Sequence, residues 1–265
     1  IPYFYAMSES SDLTFQPRFF SEKKFLLRSE YRNITEKSLS IADFSINKDK
    51  DDSKNGRKSH FFLNSLVDLD LSTFDKSFLD LKIEKTSSDN FLKLYSIENT
   101  KSIVNNTGVL ESFLTFSSEK DETFLDLSFE SYETLGQLNS NRHAFVYPNY
   151  SLSKNVDIEN NLLENIDMDS SGSQRTHTTN IYEAVQVNNA LLSSKKFITT
   201  NGFENKFLTL LKNVNSKGQN SPKFKRDRQS ELLNIASYDI SLPLRKKSEM
   251  FNKYLTPKIS IRHSP

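Results

Sequence analysis

Along most of the chain, apolar and polar side chains alternate one for one. In Ser77 to Glu84, Leu79, Leu81 and Ile83 fall on one face, and Asp80, Lys82 and Glu84 on the other. Thr123 to Tyr132 repeats the pattern, with Leu125, Leu127 and Phe129 opposite Asp126, Ser128 and Glu130. Ser237 to Leu244 sets Tyr238, Ile240, Leu242 and Leu244 against Ser237, Asp239 and Ser241. Leu255 to Arg262 sets Leu255, Pro257, Ile259 and Ile261 against Thr256, Lys258, Ser260 and Arg262. A repeat of two residues is the signature of a strand with one dry and one wet face. Weaker versions predict strands at 12–20, 24–32, 39–47, 58–71, 110–118, 142–154, 176–187 and 202–214. In the last, Phe207, Leu208, Leu210 and Leu211 also suit a helix face. The total is about a dozen strands and no convincing helix, so the predicted fold class is all-β and antiparallel.

Between these runs the chain turns on Asn, Asp, Ser and Lys, because Gly and Pro number only 6 and 7. Such residues favour turns through local side-chain hydrogen bonds. Lys48 to Lys58, Ser170 to Arg175 and Ser216 to Gln229 read as polar linkers. Alternation leaves two architectures open. A soluble sandwich buries the apolar face, whereas a transmembrane β-barrel turns it to lipid and encloses the polar face around water. Strand lengths close to the roughly 9–11 residues that cross a bilayer at a tilt favour the barrel. So do full charges at successive polar positions.

Composition narrows the function. Hydrophobic residues are 35% and charged residues 26% of 265 residues, with 21 Phe, 10 Tyr, no Trp and no Cys. No stretch approaches the roughly 20 apolar residues of a membrane-spanning helix. The aromatic content argues against disorder. A net charge of +1 gives no electrostatic footprint for nucleic acid. Without Cys there is no disulfide, thiolate metal site or thiol nucleophile in this stretch. His60, His143, His177 and His263 show no metal-ligand spacing and read as surface or strand-end residues. The Asp80 and Glu84 carboxylates read as a solvated strand face rather than an acid–base pair. There is no phosphate loop and no G-x-S-x-G elbow. The expectation is a non-enzyme without cofactor or metal. Lys223 to Arg228 is the one basic cluster, read as a charged loop or as a contact for phosphate groups.

Two prolines carry more information. Pro2 and Pro17 fall in the predicted neighbouring strands 1–6 and 12–20. Proline gives no N–H to a ladder and is confined to edges, strand starts and bulges. The pair therefore predicts a weakly paired sheet edge.

These residues also carry a family resemblance. Ile1-Pro-Tyr-Phe-Tyr, then Asp12-Leu-Thr-Phe-Gln-Pro-Arg-Phe-Phe, then Phe25-Leu-Leu-Arg-Ser-Glu-Tyr-Arg32 is similar to the start of the barrel in the LptD family of lipopolysaccharide-assembly proteins. His60-Phe-Phe-Leu-Asn-Ser65, with Thr86-Ser-Ser-Asp-Asn-Phe-Leu-Lys-Leu-Tyr95, resembles a second segment of that family. Tyr147-Pro-Asn-Tyr-Ser-Leu-Ser153 resembles a third. Ala236-Ser-Tyr-Asp-Ile-Ser-Leu-Pro243 with Leu255-Thr-Pro-Lys-Ile-Ser-Ile-Arg-His-Ser-Pro265 resembles a fourth. The matches follow the family's order, and 155–200 matches poorly.

The resemblance implies an outer-membrane barrel that inserts lipopolysaccharide through a lateral gate, with a lipoprotein plug of the LptE type and a periplasmic bridge of the LptA type. Residues 1–265 would be roughly the first half of the C-terminal barrel, without the N-terminal jellyroll or the closing strands. Pro2 and Pro17 would weaken the gate. Gln16, Arg18, Arg28, Glu30, Arg32, Asp80, Lys82, Glu84, Asp126 and Glu130 would face the lumen. Leu27, Leu79, Leu81, Ile83, Leu125, Leu127 and Phe129 would face outer-membrane lipid. A porin-like channel and a soluble β-rich surface or adhesion protein are the alternatives.

Overall fold

The structure is a computed structural model; it describes residues 1–20, 25–48, 57–97, 108–158, 160–177, 180–247 and 251–264. The predicted linker Lys48 to Lys58 lies largely outside these residues. The chain runs through β1 (Tyr3–Ala6), β2 (Ser11–Phe19), β3 (Phe25–Ile34), β4 (Ser38–Lys48), β5 (Lys58–Asp68) and β6 (Lys76–Thr86). The short helix α1 (Phe91–Leu94) precedes β7 (Val109–Lys120) and β8 (Thr123–Thr134). A second, α2 (Asn139–Arg142), precedes β9 (His143–Asp157), β10 (Leu163–His177), β11 (Tyr182–Ser194), β12 (Phe197–Ile198) and β13 (Glu204–Gln219). The chain continues through β14 (Gln229–Ser241), β15 (Leu244–Lys247), β16 (Asn252–Leu255) and β17 (Lys258–His263).

The fold is all-β: one large antiparallel sheet of 15 strands. Its order is sequential, β1 through β11, then β13, β14 and β17, with β12 paired to β13 beside that path. From β1 to β11 each strand sits beside the one before it, the simplest up-and-down connectivity. The sheet is open, with β1 and β17 at its two ends. β15 and β16 form a separate two-stranded sheet.

Several sequence expectations are corrected. Ser170 to Arg175 is not a linker but the middle of β10, which is paired on both sides. Its Ser-Ser-Gly-Ser run has turn chemistry, and neighbouring strands override it. The predicted strand 176–187 instead spans the β10–β11 turn, where Asn180 takes a φ of 62°. The strand expected at 202–214 is present as β13, which begins at Glu204 and continues to Gln219. The runs 237–244 and 255–262 each break at a proline, Pro243 and Pro257, which lie between strands. Pro2 precedes β1 rather than lying within it. Two four-residue helices occur where none was expected.

The described residues cluster into two compact units. The first holds residues 1–120, 125–150 and 173–183. The second holds residues 121–124, 151–172 and 184–265. The first contains the apolar cluster Leu26, Phe62, Phe91, Leu92, Tyr95, Ile97 and Leu110. In the second, β13 and β14 form a ladder of 13 paired positions, from Glu204 opposite Ser241 to Ser216 opposite Gln229.

Candidate functional site

Register decides which side chains share a face, because directly opposed residues of an antiparallel pair point the same way. Gln16 and Arg18 of β2 stand opposite Arg28 and Leu26 of β3. Arg28, Glu30 and Arg32 stand opposite Ser45, Asp43 and Ile41 of β4. Ser45 and Asp43 oppose His60 and Phe62 of β5. His60, Phe62, Asn64 and Leu66 oppose Thr86, Glu84, Lys82 and Asp80 of β6. All eight predicted polar positions from Gln16 to Glu84 thus share one face, here called the charged face. A cavity of about 520 Å³ on that face is lined by Asp80, Glu130 and Tyr132 among others, so Glu130 joins it. Asp126 lies on the same side of β8 by alternation.

The opposite face carries Leu13, Phe15, Pro17 and Phe19, then Leu27 and Tyr31, then Ala42, Phe44 and Ile46. It continues through Phe61, Leu63 and Val67 to Ile83, Leu81 and Leu79, and on to Leu114 and Phe116. Leu125, Leu127 and Phe129 take the corresponding side of β8.

Across these strands the charged face is the buried one, and it buries Leu26 and Phe62 together with charged groups. On the apolar face no Leu, Ile, Val, Phe or Tyr is buried, and Phe44, Ile46, Phe61 and Leu114 are each about two-fifths exposed. The buried side chains there are serines, Ser29, Ser77 and Ser118. On the charged face Arg28, Asp43, Ser45, Asn47, His60 and Glu84 are all buried. Charged groups are almost never fully buried unless paired, and here they are paired. Arg28 donates to both oxygens of Asp43, from Nε at 3.1 Å and Nη2 at 2.5 Å. His60 lies with Nε2 3.4 Å from Asp43 Oδ1, and its Nδ1 is 2.5 Å from Ser45 Oγ. His60 is therefore a buried network member, not a surface residue. Lys82 Nζ sits 3.2 Å from Glu84 and 3.0 Å from Glu111, and the Glu111 N–H donates to Glu84 at 2.8 Å. Arg32 reaches Asp12 at 3.0 Å. Glu130 accepts from Ser128, Asn149 and Tyr132 at 2.6–2.8 Å. Asp80 and Glu84, considered as a carboxylate pair, are thus engaged separately.

Among the described residues, an apolar segment caps the charged face. Helix α1 lays Phe91 against the His60 ring, with centroids 6.0 Å apart, and buries Phe91 and Leu92 fully. Tyr95 accepts from Asn47 at its hydroxyl and from Arg18 Nη1 at its carbonyl, the latter at 3.2 Å. Arg142 of α2 ties this segment down by bridging Asp89, at 2.7 Å, and Glu133, at 2.6 Å. The guanidinium holds the Asp89 carboxyl below its usual value. Sequence reading missed this cap. Its signal, the Phe91-Leu92 pair after an Asp-Asn turn, is too short for a helical period.

At the β1 edge, β1 pairs with β2 at four positions, Tyr3 with Phe15 through Ala6 with Asp12. β2 and β3 share nine. Pro17 lies beyond the positions that β1 pairs and stands opposite Leu27 of β3. Lys223 to Arg228 forms the mostly exposed β13–β14 loop. The Gly218 N–H donates to the Lys225 carbonyl at 2.7 Å. A Cβ at Gly218 would lie 2.8 Å from the Phe224 carbonyl, so the close approach requires glycine. In the second unit a cavity of about 440 Å³ is lined by Leu152, Met168, Ser170, Asn188, Leu211 and Asn213 among others. Ser170, Asn188 and Asn213 are hydrogen-bonded in series there.

No helix among the described residues is long and apolar enough to cross a membrane. None of them forms a group of three or more metal-ligating side chains. No known family model matches the sequence, and no curated protein is significantly similar to it.

Proposed function

We propose that this chain is a section of the wall of an outer-membrane β-barrel, of the kind that delivers lipopolysaccharide through a lateral gate. The observation that carries the membrane reading is the exposed apolar face from β2 to β7, opposite a face that buries its charges. A continuous apolar face is left uncovered while charges are buried on the other face. Soluble monomers rarely expose apolar patches larger than a few hundred Å². In a barrel wall that face meets acyl chains, and the charged face lines a wet lumen. Sequential antiparallel connectivity and strands of 9 to 12 residues from β2 to β8 suit such a wall.

The lipopolysaccharide reading rests on the sequence resemblance, together with the four-position β1–β2 pairing flanked by Pro2 and Pro17. In lipid each unpaired backbone group costs several kcal/mol, so a fully laddered seam resists lateral opening. Proline removes donors from that seam without adding charge. In this reading Gln16, Arg18, Arg28, Glu30, Arg32, Asp80, Lys82, Glu84, Asp126 and Glu130 lie on the lumen side; Arg28 and Glu84 are buried in its ion pairs, and the others contact sugars or a plug of the LptE type.

Face identity is tested by one paired substitution. Leu81→Arg places a charge on the apolar face and should cost about 2–4 kcal/mol at mid-membrane. It should therefore prevent assembly into the detergent-requiring membrane fraction, whereas Asp80→Asn assembles normally. Equal assembly of the two variants, or extraction of the wild-type chain without detergent, overturns the wall reading.

A further inference from the structure

The β14–β17 hairpin does not end where its ladder ends. Ser241 opposes Lys258, and after a gap at Leu242-Pro243 and Thr256-Pro257 the same register resumes with Leu244 opposite Leu255. β15 and β16 are therefore a continuation of one long hairpin, cut in the middle by two prolines that cannot donate to the ladder. The Leu242 N–H to Pro257 carbonyl bond, 3.0 Å, bridges the gap. At about 3.3 Å per residue, the outermost pair, Lys247 with Asn252, stands about 20 Å beyond Ser241 and Lys258.

This tip differs in chemistry from the ladder below it. There Asp239 neutralises Lys258 at 2.9 Å and accepts from Ser260. On the tip Arg245, Lys246, Lys247 and Lys253 are all exposed, and no ion pair to any of them occurs among the described residues. Glu249 lies outside the described residues. Aromatic rings share the tip: Arg245 sits 5.6 Å from the Tyr254 ring centre and Lys253 sits 5.0 Å from that of Phe251. Tyr254 is 68% exposed and Phe251 53%. Cations with no ion pair among the described residues, beside exposed aromatic rings, suit the interfacial zone of a bilayer: phosphates meet the cations and rings lie at headgroup depth.

We propose that the β15–β16 tip is a docking surface for anionic phospholipid headgroups. The proposal rests on the wall reading of β14 and β17 only for where it puts the tip. The test floats the full chain with vesicles of phosphatidylcholine alone, or of phosphatidylcholine mixed with phosphatidylglycerol, at low and high salt. Wild-type chain should float with both and bind the anionic vesicles about tenfold or more tightly at low salt, an excess that high salt removes. The variant Arg245→Gln/Lys246→Gln/Lys247→Gln/Lys253→Gln should match wild type on neutral vesicles and lose the excess. Neutralising Lys223, Lys225, Arg226 and Arg228 instead should leave it. No anionic excess in wild type, or an excess that survives the tip variant, overturns the proposal. Wild-type chain that floats only with anionic vesicles, through the tip, overturns the wall reading instead. Flotation with neither overturns both.

Discussion

Arg28, Asp43 and His60 show how much of the molecule is decided by single side chains. All three are buried, on three consecutive strands, and each needs the others. Removing one partner of a buried ion pair strands the other, at a cost of about 3–5 kcal/mol, whereas replacing both by apolar groups of similar size is near neutral. Arg28→Met should therefore lower the urea midpoint of the chain folded in detergent micelles, by an amount equivalent to about 3–5 kcal/mol. Arg28→Met with Asp43→Leu should recover most of it. A single variant within about 1 kcal/mol of wild type would show that water reaches the pair. None of this was legible in the sequence. The period-two pattern assigns Arg28 to the polar face but cannot say that Asp43, 15 positions away, lies across from it. His60 read as a surface residue because its burial comes from Phe62 and Phe91, which register and the α1 fold bring to it.

At the scale of elements, the strands from β2 to β8 were the most legible part, since the alternation of Leu79, Leu81 and Ile83 against Asp80, Lys82 and Glu84 depends on nothing distant. Elements whose local chemistry opposes their surroundings were not legible. β10 hides behind a Ser- and Gly-rich run, and the long terminal hairpin hides behind Pro243 and Pro257. Helix α1 is held by its tether rather than by its propensity. The pH response of that tether follows from Asp89. Its carboxyl is lowered in the folded chain, chiefly by the hydrogen bond from Arg142. The stabilisation is thus fully present above the ordinary carboxylate value of 3.8 and is lost as pH falls through the lower folded value. Amide exchange in residues 89–97 should accelerate below pH 3.8 relative to the β3–β6 amides. Arg142→Gln should show the fast exchange at neutral pH as well. Exchange that is insensitive to both would mean that Phe91 and Leu92 hold the segment alone.

The β1 edge makes a second element-scale prediction. With Pro2→Ala and Pro17→Ala together, position 17 gains an N–H that faces β1, and position 2 gains one on the side of β1 that faces away from β2. In cells that depend on the complete protein, this double variant should reduce surface lipopolysaccharide while the protein's level in the membrane stays unchanged. Normal surface lipopolysaccharide would remove the gate from the proposal and leave the wall intact.

For the whole molecule, the low apolar share of the sequence takes on a different meaning once the two faces are separated. A wall needs apolar side chains only at alternate positions, so 35% hydrophobic residues suffice to build a continuous lipid-facing surface. The central claim is that the Leu79–Leu81–Ile83 face meets lipid and the Asp80–Lys82–Glu84 face meets water. The chain has no cysteine, so single cysteines at 79 to 84 can each carry one spin label without background. Labels in the chain reconstituted in bilayers are scored by collision with oxygen, which concentrates in lipid, and with a water-soluble nickel chelate. The account predicts alternation: oxygen dominates at 79, 81 and 83 and the chelate at 80 and 82, while the buried position 84 is reached by neither. Chelate access at all six positions, or oxygen access at the even ones, would contradict it.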